Sequence, residues 1–165
     1  MTDLFITVAA YDDIAKAEAD WAALESAGDA GSINISDAAL VERDPDGTVM
    51  TIHRQSHHGW GKGAVVGAVW GLLFPPALAA GAVYGAACGG LIARMNRSLD
   101  RGDIRDLGEA MDAGELGLVA VTDGPSLATL DEVLRNAAEG ETRQGGTAEE
   151  AQEALNEARS APSDG

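Results

Sequence analysis

A chain of 165 residues, 45% of them hydrophobic, can bury a real core and still carry an appendage. Its formal net charge of −16 excludes a general nucleic-acid surface, because phosphate binding needs clustered lysine and arginine. Cys88 is the only cysteine, which excludes an intrachain disulfide and fits a reducing compartment.

LFITVAA (4–10) is rich in β formers and has no basic region before it. It reads as a buried first strand, not a secretion signal, and predicts a cytoplasmic chain. Asp12 or Asp13 can cap the helix that follows. Ile14, Ala17, Trp21 and Leu24 share one face of that helix, and Gly28 supplies a stop signal. AALVERD (38–44) and TVMTIHR (48–54) flank Pro45-Asp46-Gly47, where Pro fixes φ and Gly accepts a positive φ, so a β-hairpin is expected.

The stretch 59–98 differs from the rest. It holds three cations, Lys62, Arg94 and Arg97, and none of the chain's 27 acids. Gly63, Gly67 and Gly71 recur every four residues, and Gly81, Gly85 and Gly89 repeat the pattern. At that spacing each triplet lines one face of a helix. Each glycine costs about 1 kcal/mol against alanine in a helix interior, and close backbone approach between helices is the physical gain that offsets it. Phe74-Pro75-Pro76 lies between the triplets, where proline bends the chain, so the stretch predicts an αα-hairpin. Its first arm reaches ~24 Å and its second ~32 Å, against ~30 Å for the hydrocarbon of a bilayer. Trp60 and Lys62 at one end, with Arg94 and Arg97 at the other, are the expected membrane-interface residues.

DIRDLGEAM (103–111) gives a short helix with Ile104, Leu107 and Met111 on one face. LGLVAVT (116–122) gives a strand, and Leu127, Leu130 and Leu134 mark a further helix capped by Asp123 or Ser126. With 59–98 set aside, the order β-α-β-β-α-β suits a ferredoxin-like α+β sandwich, followed by a C-terminal helix. The expected organisation is therefore a discontinuous domain over 1–58 and 99–139, an inserted glycine-rich hairpin over 59–98, and an acidic, partly disordered tail over 140–165. Thr147 and Glu150 stand at capping-box spacing within that tail, so 148–159 is also compatible with an exposed helix.

Chemistry-bearing residues are sparse. His53, His57 and His58 cluster in sequence, but no CxxC, HExxH or acidic metal box accompanies them, so they are weak metal candidates. A solvated connector or a pH-sensitive contact at the hairpin base suits them better. Cys88 lies among glycine and alanine, which suits a small packing residue more than a reactive thiol. GWGKG contains Gly61 and Gly63 but lacks the full GxxxxGK[ST] phosphate loop.

IHRQSHHGWGKGAVVGAVWGLLF, a proline turn, a second glycine-rich arm and GDIRDLGEAMDAGELGLVAV follow one another. This succession resembles the bacterial family of domain of unknown function 1269, often described as predicted membrane proteins. The resemblance covers roughly residues 3 to 139, and GAVVGAVWGLLF and IRDLGEAMDAGELGLVAV are its most specific parts. It implies a membrane-predicted glycine-rich insertion in a small α/β domain, and it brings no catalytic residues with it. The second arm, ALAAGAVYGAACGG, is more Ala-rich and less bulky than in many relatives.

Together these features predict a non-enzymatic, self-associating module without a cofactor. Its expected partners are copies of itself and the lipid bilayer at the inner face of the cell membrane, with room for a further protein partner. The alternative is a soluble small-molecule-sensing or stress-related regulatory domain that assembles through the same hairpin.

Overall fold

The computed structural model describes residues 2–43, 49–56, 102, 116–147, 149 and 153. Within them the order is β1 (Asp3–Tyr11), α1 (Ile14–Asp29), β2 (Ile35–Arg43), β3 (Val49–Ser56), β4 (Leu116–Asp123), a 3-10 turn (Gly124–Ser126), α2 (Leu127–Val133) and β5 (Glu139–Thr147). The five strands form one antiparallel sheet in the order β3-β2-β4-β1-β5.

Local chemistry sets each boundary. Asp13 is extended (φ −142°, ψ 126°) and its carboxylate accepts from Ala15 N–H at 2.7 Å, which satisfies a donor that the first turn of α1 leaves open. The helix ends one turn later than the Gly28 stop predicts. Gly31, at φ 72°, takes the left-handed position, with Gly31 N–H bonded to Gly28 O and Ser32 N–H to Ala27 O. That paired closure is the Schellman pattern, and it needs a residue without Cβ at Gly31. Asp123 caps the 3-10 turn by accepting from Ser126 N–H at 3.1 Å, with proline just inside the start.

Alternation along the strands divides the apolar residues between two faces. Tyr11, Leu40, Leu118 and Ala120 meet Trp21 and Leu24 of α1 and Leu130 of α2 in one core. Both helices cover this side of the sheet. On the other side Ile6 faces Val121 and Val8 faces Val119, all of them buried.

The ferredoxin-like sandwich expected from the sequence is not what forms. The sheet has five strands, and Leu116–Asp123, expected to close the sandwich, lies in its middle, between β2 and β1. The fifth strand, EGETRQGGT, lies where the acidic tail was expected to begin at 140. It escaped notice because it has no apolar alternation. It is held by backbone pairing to β1, from Asp3↔Thr147 to Ala10↔Glu139, and by a 2.7 Å contact between the Thr7 and Thr142 hydroxyls. The short helix expected at 103–111 and the hairpin expected at 59–98 lie outside the described residues. Among the described residues no helix is long and apolar enough to cross a membrane.

The pairing also sets where the chain between β3 and β4 leaves and re-enters the sheet. β3 and β4 are both antiparallel to β2, so they run parallel to each other. Ser56 stands opposite Asp37, and Leu116 opposite Glu42. Residues 57–115 therefore leave at one end of the sheet and re-enter at the other, ~17 Å away along β2 at about 3.4 Å per residue.

Candidate functional site

α1 presents two polar residues to different neighbours. Glu18 and Trp21 are three residues apart, so they stand on adjacent turns and both reach β3. His53 of β3, opposite Leu40, brings its Nε2 to 2.8 and 3.0 Å from the two Glu18 carboxylate oxygens. The imidazole also stacks on Trp21, with ring centroids 5.5 Å apart and planes 14° apart. Glu18 and His53 are each about two-fifths exposed, at 42% and 39% of the side chain. The cluster therefore clasps the edge strand to the helix from the solvent side. An exposed pair of this kind contributes only about 0–1 kcal/mol, and the apolar contact of the stacked rings adds to it.

Asp20 points the other way and is closed off, at 1% exposure. Tyr11 O–H donates to its Oδ2 at 2.9 Å, Asn136 N–H to the same oxygen at 3.0 Å, and the Asn136 side-chain amide to Oδ1 at 2.6 Å. Three donors offset the cost of removing a carboxylate from water. Burial pushes the Tyr11 phenol well above its ordinary range, and the hydrogen bond to Asp20 and its charge push the same way. The phenol therefore stays protonated and remains a donor. This node ties the end of β1, the middle of α1 and the turn after α2 together.

A third polar cluster lies at the start of α2. Burial opposes ionisation of Asp123. The Ser126 hydroxyl, the Asn34 side-chain amide and the Ser126 N–H all donate to the carboxylate and outweigh that cost, so it is held below the usual carboxylate range. The Ser126 oxygen in turn accepts from Asn34 N–H at 2.9 Å.

Among the described residues two grooves lie on the helix side. One is bordered by Thr7, Asp131, Leu134, Glu139 and Thr142, the other by Asp20, Thr129, Glu132, Arg135 and Asn136. Each holds about 220 Å³. Ligand pockets usually run to about 300–1,000 Å³, so neither groove favours the small-molecule-sensing alternative.

Of the residues singled out in the sequence, His53 is described, and its partners are Glu18 and Trp21. His57, His58, Trp60, Lys62, Cys88, Arg94 and Arg97 lie outside the described residues. So do Gly63, Gly67, Gly71, Gly81, Gly85 and Gly89, and the Phe74-Pro75-Pro76 turn. Among the described residues no group of three or more His, Cys, Asp or Glu side chains is placed to hold a metal ion. Sequence reasoning missed Glu18, Asp20 and Asn136. Glu18 carried a readable signal, its spacing from Trp21. Asp20 carried none, because a carboxylate in a helix is ordinarily solvated.

The family model described as "Protein of unknown function (DUF1269)" matches residues 61–159, which is more than half of the chain, and the protein belongs to this family. The match runs past 139, so β4, α2 and β5 all fall within the family's domain, along with part of the stretch expected to be an appended tail. No curated protein and no solved structure matches the chain.

Proposed function

We propose that the protein is a non-enzymatic, self-associating module. The sheet domain is the carrier, and the uncharged, glycine-rich run 63–93 is the contact element. One observation carries this reading: no charged residue stands between Lys62 and Arg94 in a chain of net charge −16. A run that is apolar all round is driven to bury itself in a partner or in lipid. The recurring glycines Gly63, Gly67, Gly71, Gly81, Gly85 and Gly89 favour close backbone approach, which a second copy of the same run can supply. Lys62, Arg94 and Arg97 at its ends favour a second surface, an anionic bilayer at the inner face of the membrane.

Light scattering on the full chain tests the first partner. A defined oligomer is expected, and Gly67→Leu or Gly85→Leu is expected to reduce its mass or make it heterogeneous. A monomeric wild type, or an unchanged mass in both variants, would count against assembly through this run. Flotation with phosphatidylglycerol-containing vesicles tests the second. Protein that stays with the vesicles through a carbonate wash supports insertion. Protein that remains at the bottom of the gradient as a defined oligomer restricts the partner to another copy.

A further inference from the structure

β5 forms one border of the sheet. Among the described residues β1 is its strand partner, and the other edge of its backbone carries no described strand. Glu139, Gly140 and Gln144 along it are exposed, and for Gly140, which has no side chain, that exposure is backbone. We infer that this edge pairs antiparallel with the same edge of a second copy, centred on Thr142, so that two five-stranded sheets join into one.

Three observations lead there. First, an open edge is ordinarily blunted by lysine, by proline or by keeping the strand very short. β5 is nine residues long and contains neither lysine nor proline. Second, charge selects the partner and the register. A two-fold axis through the sheet sets one residue opposite its own copy. Centred on Glu141 or on Arg143, it brings like charges face to face, and centred on Gly140 it sets Glu139 opposite Glu141. Centred on Thr142, it sets Glu141 opposite Arg143 of the second copy, twice over, and no like charges meet. Third, the same register matches size. Gln144 falls opposite Gly140 of the second copy and Glu139 opposite Gly145, so each long residue stands against a glycine. Repulsion between two chains of net charge −16 opposes any association, but exposed charges more than about 8 Å apart are largely screened at physiological salt, so the local match decides.

The test uses the full chain with Cys88→Ser, which removes the native thiol. In the inferred register Thr142 faces its own copy with Cα atoms about 4.5–5.5 Å apart, within disulfide reach. Gln144 stands four residues out of step with its own copy, ~14 Å away at about 3.4 Å per residue. Oxidation is therefore expected to link Thr142→Cys chains in pairs and to leave Gln144→Cys chains single. Equal linking at the two positions, or none at 142, would overturn the inference. Charge supplies the second arm. Glu141→Lys alone and Arg143→Glu alone set like charges opposite each other, and each is expected to lower the yield of the 142 link by at least about tenfold. Mixing these two variants sets opposite charges together again and is expected to restore the link. A yield indifferent to the charges would refute the register. The inference does not rest on assembly through 63–93. Gly67→Leu, which tests that assembly, is expected to leave the 142 link in place. Loss of the link in that background would assign the pairing to 63–93 and overturn the role of β5.

Discussion

The phenolic hydroxyl of Tyr11 donates a 2.9 Å hydrogen bond to Asp20, and both residues are closed off from solvent. The two are nine positions apart on different elements, β1 and α1. Asn136, in the turn after α2, completes the same carboxylate with its backbone and side-chain amides. A buried carboxylate held this way fixes the angle at which the helix crosses the sheet.

Removing either member should therefore cost unequal amounts. Asp20→Ala leaves the Tyr11 hydroxyl and both Asn136 donors without their acceptor, and buried donors left unpaired cost about 1–3 kcal/mol each. A loss of about 3 kcal/mol is expected. Tyr11→Phe removes one of three donors and leaves the carboxylate still bonded to Asn136, so about 1 kcal/mol is expected. Urea denaturation followed by far-UV circular dichroism measures both. Equal losses in the two variants would show that Asp20 does not organise this node.

The Glu18–His53 clasp should behave as an exposed contact. Glu18→Gln is expected to change stability by less than about 1 kcal/mol. His53→Ala also removes the ring stacked on Trp21, so a somewhat larger loss of about 1–2 kcal/mol is expected. Hydrogen exchange adds a local readout, since β3 amides should exchange faster in His53→Ala while β1 amides do not. Uniform acceleration across the sheet would refute a role confined to the edge strand.

Asp123 gives a pH dependence with a fixed sign. Its carboxyl is held below the ordinary value in the folded chain, because the Ser126 and Asn34 hydrogen bonds outweigh its burial. Its contribution is therefore fully present above the unfolded pKa of about 3.9 and is lost as pH falls through the folded value. The stability gap between wild type and Asp123→Asn should be widest near neutral pH and close in acid. A gap that widens as pH falls below about 4 would contradict the assignment.

The sequence disclosed those elements whose apolar pattern matched their burial. LFITVAA became Asp3–Tyr11, and LGLVAVT became Leu116–Asp123, both buried nearly throughout. α1 was legible from Asp13 and from the Ala17, Trp21 and Leu24 spacing. β5 was not, because an edge strand is held by its backbone, and Gly140, Glu141 and Gln144 carry no signal of that. Strand order was hidden for a related reason. Local spacing says that Val119 is buried, but not that β4 inserts between β2 and β1. At the candidate site, His53 was visible as a histidine, while its fate depended on Glu18 and Trp21, more than thirty residues earlier.

β1 is made first among the strands, yet its neighbours in the sheet are β4 and β5, and its nearest pairing in sequence is Tyr11 with Leu116. β2 and β3 can zip together as soon as they leave the ribosome; β1 has to wait for residues 116–147. Closing so large a loop is slow compared with local pairing. Throughout that interval LFITVAA has neither of its strand partners, so the middle of the sheet is completed only once residues 116–147 have been made.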